Sequence, residues 1–165
     1  MANSHSEGTV ITGEKEEAAI ALSKDGHALG PSDAKVVIVE FGDLYCYACQ
    51  ASFAHMKRLQ AQYPGKIRWI FRHFPLFEKE GHELALPTAV VAEYAATKGK
   101  FWEFLEQVYA MQHDSVKSMD QVYAIAANVN VDTATRSPQP TPQAMRLRCK
   151  PAVPLETATA YSRSA

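Results

Sequence analysis

The sequence predicts an α/β fold built on a strand-helix-strand unit, and three observations carry that prediction. Lys35-Val36-Val37-Ile38-Val39-Glu40-Phe41 is a nearly continuous β-branched run, the pattern of a strand buried on both faces. From Cys46 to Tyr63 there is no Pro or Gly, and Phe53, Met56, Leu59 and Tyr63 recur at helical spacing. Ile67-Arg68-Trp69-Ile70-Phe71 is a second apolar run that follows the Pro64-Gly65 stop. Joints this short make the two strands parallel and the crossover right-handed.

The remaining elements follow in chain order. Residues 1–30 are a polar, mixed arm in which Gly8 to Thr12 suits a short edge strand and Glu14 to Ser23 a short helix. A Gly30-Pro31-Ser32-Asp33 turn leads into the first core strand, and Gly42 and Asp43 end it. Beyond the second strand, Phe74 and Leu76 are of core type, and His73 reads as a hydrogen-bonded structural histidine. Leu84 to Lys98 is rich in Ala, Val and Glu, with Pro87 tolerable only in a first helical turn and Gly99 suited to the C′ position. Phe101, Leu105, Val108 and Met111 form a second helical stripe, and Phe101, Trp102 and Phe104 are aromatics that pack this helical segment. Ser118-Met119-Asp120-Gln121 has the form of a capping box, with Val122, Ile125 and Ala126 on the inner face of the helix it opens.

After Asp132 the pattern stops. Residues 133–165 hold five of the nine prolines, no glycine, five basic residues and a single acid, Glu156. No apolar period runs through them, as in a loosely attached tail. The expected organisation is therefore an arm over 1–30, one domain over 31–132 with a helical insertion at 84–128, and an irregular tail over 133–165.

Bulk properties exclude several classes. A chain of 165 residues suffices for one domain with a core. A net charge of −1 gives no reason to expect nucleic acid or an acidic membrane surface as partner. No run of about 18 apolar residues occurs, so no membrane span is expected. Three cysteines are too few, and odd in number, for a disulfide-stapled fold. Met1 to Gly8 lacks the basic region and apolar run of a secretory signal, which leaves the cytoplasm open as a compartment.

The chemistry concentrates at Cys46-Tyr47-Ala48-Cys49. A CxxC opening a helix sets its first sulfur beside free backbone N–H groups, whose dipoles favour thiolate over thiol. The second cysteine lies one turn on and can close a small disulfide ring. Cys46 would then attack a partner disulfide and Cys49 would resolve the mixed intermediate. Two other readings stand beside this one: half of a metal site, and inert packing cysteines. Against the metal, no second Cys or His pair at ligand spacing follows, and Gln50 stands where haem attachment needs His. Glu40 is the one charge in the first core strand, six residues before Cys46. A buried carboxyl there has a raised pKa and can exchange a proton with Cys49; an exposed one is simply solvated.

Several motifs, in order, carry a family resemblance. Gly30-Pro31-Ser32-Asp33-Ala34, Val36 to Asp43, Cys46 to Cys49, Arg72-His73-Phe74-Pro75-Leu76 and Gly99-Lys100-Phe101-Trp102-Glu103 resemble the DsbA-like thioredoxin-fold oxidoreductases over about residues 28 to 132. The resemblance implies a thioredoxin fold interrupted by a helical insertion, with Cys46 the exposed nucleophile, Cys49 its partner and Glu40 the acid on the preceding strand. It implies cysteine-containing protein or peptide substrates and a redox partner protein. No cofactor or metal is implied beyond the dithiol itself, and the family is mostly periplasmic or otherwise extracytoplasmic. Tyr47 and Ala48, between the cysteines, are candidate substrate contacts; Tyr47 reads equally well as an exposed aromatic without a role.

The second half of that pattern is not found. The family's cis-proline turn, β-hairpin and closing helix have only Thr141-Pro142 and Val153-Pro154 as superficial counterparts, and no apolar strand follows either. The fold expected is thus thioredoxin-like but lacking its C-terminal hairpin and helix, and a frameshifted or substituted C-terminus would account for the break. Such a sheet keeps an open edge and an apolar face, which invites homo-oligomers through edge pairing. The leading reading is a protein-disulfide oxidoreductase. The alternatives are a truncated thioredoxin-like binding module without efficient turnover and a thiolate metal-binding protein.

Overall fold

The computed structural model describes residues 26–111 and 116–133. The arm helix and arm strand expected before residue 24, the tail, Cys149 and both proline candidates lie outside them. Within them the elements are β1 (His27–Leu29), β2 (Val36–Gly42), α1 (Tyr47–Gln62), β3 (Ile67–His73), α2 (Ala85–Thr97), α3 (Phe101–Ala110) and α4 (Met119–Asn128).

The sheet is mixed, in the order β1-β3-β2. β2 runs parallel to β3, with Ile38 opposite Trp69, Glu40 opposite Phe71 and Gly42 opposite His73. β1 is antiparallel to β3, with His27 opposite Phe71. The strand-helix-strand unit is therefore as expected, while β1 has no counterpart in the sequence reading. Its three residues are too few to show a period.

Because side chains alternate along a strand, Trp69, Phe71 and His73 share one face of β3, together with Ile38, Glu40 and Gly42 of β2. The helices pack on this face. Phe53 of α1 lies 5.3 Å from Trp69 and 5.2 Å from Tyr109 of α3, ring centre to ring centre, so one core joins α1, the sheet and the helical segment. Phe101 and Phe104 are buried there, and Trp102 packs against Trp69 at 4.7 Å with the rings tilted 48° and donates its indole N–H to the Ala28 carbonyl. The helix-spaced aromatics thus tie the helical segment to the sheet as well as packing it. Gly42 sits where this core meets the end of β2: a Cβ there would come within 2.3 Å of the Phe71 ring.

Two expectations are corrected. β2 is not buried on both faces: on the side turned from the helices Val37 is 48% exposed and Phe41 38%, and Val36 at the start of the strand is 48% exposed as well. The strand lies at the sheet edge, and the helices among the described residues cover only the opposite face. A β-branched run reports pleated backbone, not how many layers cover it. Phe74 and Leu76 are half-buried and stand outside the core cluster, because the chain leaves the sheet after His73 and turns along the surface.

The helix ends follow their sequence signals. At the end of α2 the Lys100 N–H donates to the Ala95 carbonyl and the Gly99 N–H to the Ala96 carbonyl, a Schellman closure, with Gly99 at φ +69°. Ser118 accepts the Gln121 backbone N–H while the Gln121 side chain accepts the Ser118 N–H, so the capping box is formed. Val122, Ile125 and Ala126 are buried beneath it.

Candidate functional site

Cys46 is the N-cap of α1, in extended backbone conformation, and no side chain caps the helix. Its N–H donates to the Asp43 carbonyl, and its carbonyl accepts from Gln50 to start the helical ladder. Cys49 follows one turn later. Both are free thiols, half-buried, and Cys49 hydrogen-bonds to Cys46. The sequence therefore places the pair as expected: the first sulfur stands at the unsatisfied end of a helix and the second within reach of it.

The two sulfurs are not equivalent. Burial pushes the Cys49 thiol up to about 12, against the weaker opposing effect of the Asp43 backbone N–H, which donates to its sulfur at 3.5 Å. The hydrogen bond to Cys46 and the charges of Cys46 and Glu40 push in the same direction as burial. Cys49 thus holds its proton at neutral pH, and a thiolate there requires a base.

Glu40 points toward the same place from β2. Burial raises its carboxyl above the usual range, while hydrogen bonds from Ser52 and the Trp69 indole lower it by less. The Trp69 Nε1–H donates to Glu40 Oε2 at 3.0 Å. The carboxyl is half-buried rather than freely solvated. Tyr109 reports the same convergence. Its hydroxyl is raised well above its ordinary value by burial first and then by the charges of Cys49, Glu40, Asp43 and Cys46.

Asp43 organises the loop, a role that sequence reading missed. The side chain is fully buried. Oδ1 accepts the Tyr45 N–H at 2.7 Å, and Oδ2 accepts the Leu76 N–H at 2.8 Å and bonds His82 Nδ1 at 2.7 Å. Its carbonyl also accepts the Tyr109 hydroxyl at 3.1 Å. One residue thereby fastens the Cys46 turn to the segment after β3, to the entry of α2 and to α3. The local signal was an Asp directly after a strand, which favours a side-chain-closed turn. Its partner His82 lies 39 residues away in sequence, and nothing local announces it.

Gln50, after the pair, donates its amide to the Tyr109 and Met111 carbonyls and holds the start of α1 against the end of α3. A shallow depression beside Cys46 is lined by Leu44, Val108, Tyr109, Met111 and Val116. Tyr47, at 70% exposure, and Ala48 project from the first turn beside Cys46 and face outward.

His73 departs from the expected hydrogen-bonded histidine. It is buried, yet neither ring nitrogen has a hydrogen-bond partner among the described residues. Burial lowers its pKa to about 4, opposed by the charge of Glu93. A thiolate metal site at Cys46 and Cys49 needs further donors. Among the described residues the donors that do converge lie elsewhere: His27, His73 and Glu93.

Comparison with known proteins agrees with this geometry. A family model described as thioredoxin matches residues 22–151, beyond both ends of the 28–132 stretch that carries the motifs. The chain is 22% identical to the thiol-disulfide exchange protein alpha-DsbA2 of Wolbachia pipientis, with a TM-score of 0.66 over 82% of this chain and 72% of that one. A variant of alpha-DsbA1 from the same organism is 25% identical, with a TM-score of 0.54 over 65% of this chain and 55% of that one. A Na(+)/H(+) antiporter, NhaA 1 of Mycolicibacterium vanbaalenii, is 33% identical over 106 residues, which are 64% of this chain and 17% of the antiporter. The chain thus spans about a sixth of the length of the curated relatives it matches. Among the described residues no helix is long and apolar enough to cross a membrane.

Proposed function

The chain belongs to the thioredoxin family, in its DsbA-like branch, and from that premise we propose that it exchanges disulfides with cysteine-containing proteins or peptides through Cys46 and Cys49. One observation carries the reading: Cys46 caps α1 with no competing side chain, and Cys49 follows one turn on with its proton held.

In the reducing direction the Cys46 sulfur attacks a substrate disulfide. One Cys46–substrate disulfide forms, and the other substrate sulfur leaves as thiolate. Cys49 then gives its proton to Glu40 and attacks the Cys46 sulfur. The internal disulfide forms, and the remaining substrate thiolate is released. In the oxidising direction the same steps run backward, with two electrons passing from substrate to the Cys46–Cys49 pair and Glu40 returning the proton to Cys49. Which direction dominates depends on the partner that resets the pair. Tyr47 and Ala48 flank the attacked sulfur and meet the substrate.

The test is a pair of substitutions. Cys46→Ser is expected to abolish turnover of a disulfide substrate, and Cys49→Ser to accumulate a covalent mixed disulfide visible on a non-reducing gel. Unchanged turnover in Cys46→Ser overturns the proposal. The exposed face of β2 favours a second reading, in which the domain binds without efficient turnover. Under it Cys46 is alkylated quickly while insulin reduction stays at background.

A further inference from the structure

His27, His73 and Glu93 use none of the chemistry above, yet their ligand atoms all lie within 4.8 Å of one another. They come from three elements: the first residue of β1, the last of β3, and the second half of α2. The antiparallel pairing of His27 with Phe71 brings His27 beside His73, and α2 lays Glu93 across both. Glu93 Oε1 is 2.9 Å from His27 Nε2 and 3.6 Å from His73 Nε2. In a tetrahedral zinc site, ligand atoms about 2.0–2.1 Å from the ion stand about 3.3 Å apart. The two measured separations bracket that value.

The second observation is the state of His73. Its side chain is 4% exposed and both nitrogens lack a hydrogen-bond partner among the described residues. A buried polar group left so is costly, and a ligand in the cluster would satisfy it. The rings are also held in place. His27 stacks on Phe101 at 3.5 Å with an 18° tilt. His73 meets the edges of Phe71 and Phe101 at 5.4 and 5.6 Å. Aromatic walls that fix the imidazoles reduce what a ligand must order.

We propose that His27, His73 and Glu93 bind a divalent transition cation, zinc in the first instance, as a two-histidine, one-carboxylate site. The cation takes the place of the hydrogen between His27 Nε2 and Glu93, and a neutral His27 binds it through Nε2 with its proton on Nδ1. His27 and Glu93 are 19% and 14% exposed at the side chain, so the fourth position opens to water on their side. The site clamps the short strand β1 to β3 and α2, and its chemistry is separate from the dithiol.

The experiment uses the full chain with Cys46, Cys49 and Cys149 changed to serine, so that no thiolate competes. Zinc is titrated against a chelating dye, and the melting temperature is followed with and without zinc. One equivalent is expected, with a rise in melting temperature. His27→Gln and Glu93→Gln should each lower affinity by at least the roughly 10–100-fold that losing an outer-shell partner costs, and should abolish the rise. In the parent chain, the ring resonances of His27 and His73 should shift on adding zinc while that of the exposed His55 stays. No binding, equal binding in both variants, or zinc-induced shifts confined to other histidines would overturn the proposal.

Discussion

Asp43 satisfies three donors while wholly buried, so its replacement should cost more than a surface change. Asp43→Ala leaves the Tyr45 N–H, the Leu76 N–H and His82 Nδ1 without their acceptor. A loss of about 3–5 kcal/mol is expected in urea denaturation, since each buried donor left without its acceptor costs about 1–3 kcal/mol. Asp43→Asn keeps one acceptor and should lose less. Glu40 makes the opposite prediction, because burial works against its charged form. Its folded pKa is raised above the ordinary value of 4.5. Below that value the carboxyl is protonated whether folded or unfolded, and nothing is lost. As pH rises toward the raised folded value, the unfolded chain has released a proton that the fold retains, so stability falls with rising pH. Glu40→Gln removes that fall and should raise the melting temperature at pH 7, while slowing resolution of the mixed disulfide about 10²- to 10⁴-fold. Equal pH profiles for the two proteins would remove Glu40 from the account.

At the scale of the element, caps and glycines make predictions independent of the site. Gly99 closes α2 at φ +69°, and a Cβ there would meet nothing within 4 Å. Gly99→Ala should therefore cost only the conformational penalty of about 1 kcal/mol. Ser118→Ala should cost about the same by uncapping α4. These elements were legible because their signals are local: the Ser118–Gln121 box, the 3.6 period of α1, the apolar run of β3. What was not legible depends on chain topology. β1 is three residues long and exists because β3 offers it an edge. The outer face of β2 could not be read from Val36 to Val39, since β-branched residues suit any strand. Cys46 and Cys49 were plain because their partner is each other, whereas His82 joins Asp43, and His73 and Glu93 join His27, only after the sheet has formed.

For the whole molecule, the exposed side chains of β2 matter most. Val37 and Phe41 alternate onto the face that no helix among the described residues covers, beside the partly stacked Arg72. Copies of the chain should associate as concentration rises, and Val37→Lys should return light scattering to the monomer mass, since charge on an edge strand blocks pairing. A monomer at every concentration before substitution would count against an exposed edge. The protein also carries two tryptophans, and one of them bonds Glu40. Trp69 is 0% exposed and its indole donates to the Glu40 carboxyl, the group proposed to exchange a proton with Cys49. Oxidising the pair alters that carboxyl's surroundings and sets a quenching disulfide nearby. The chain should therefore glow differently in its two redox states, and its potential can be read from its own ultraviolet emission without any added dye.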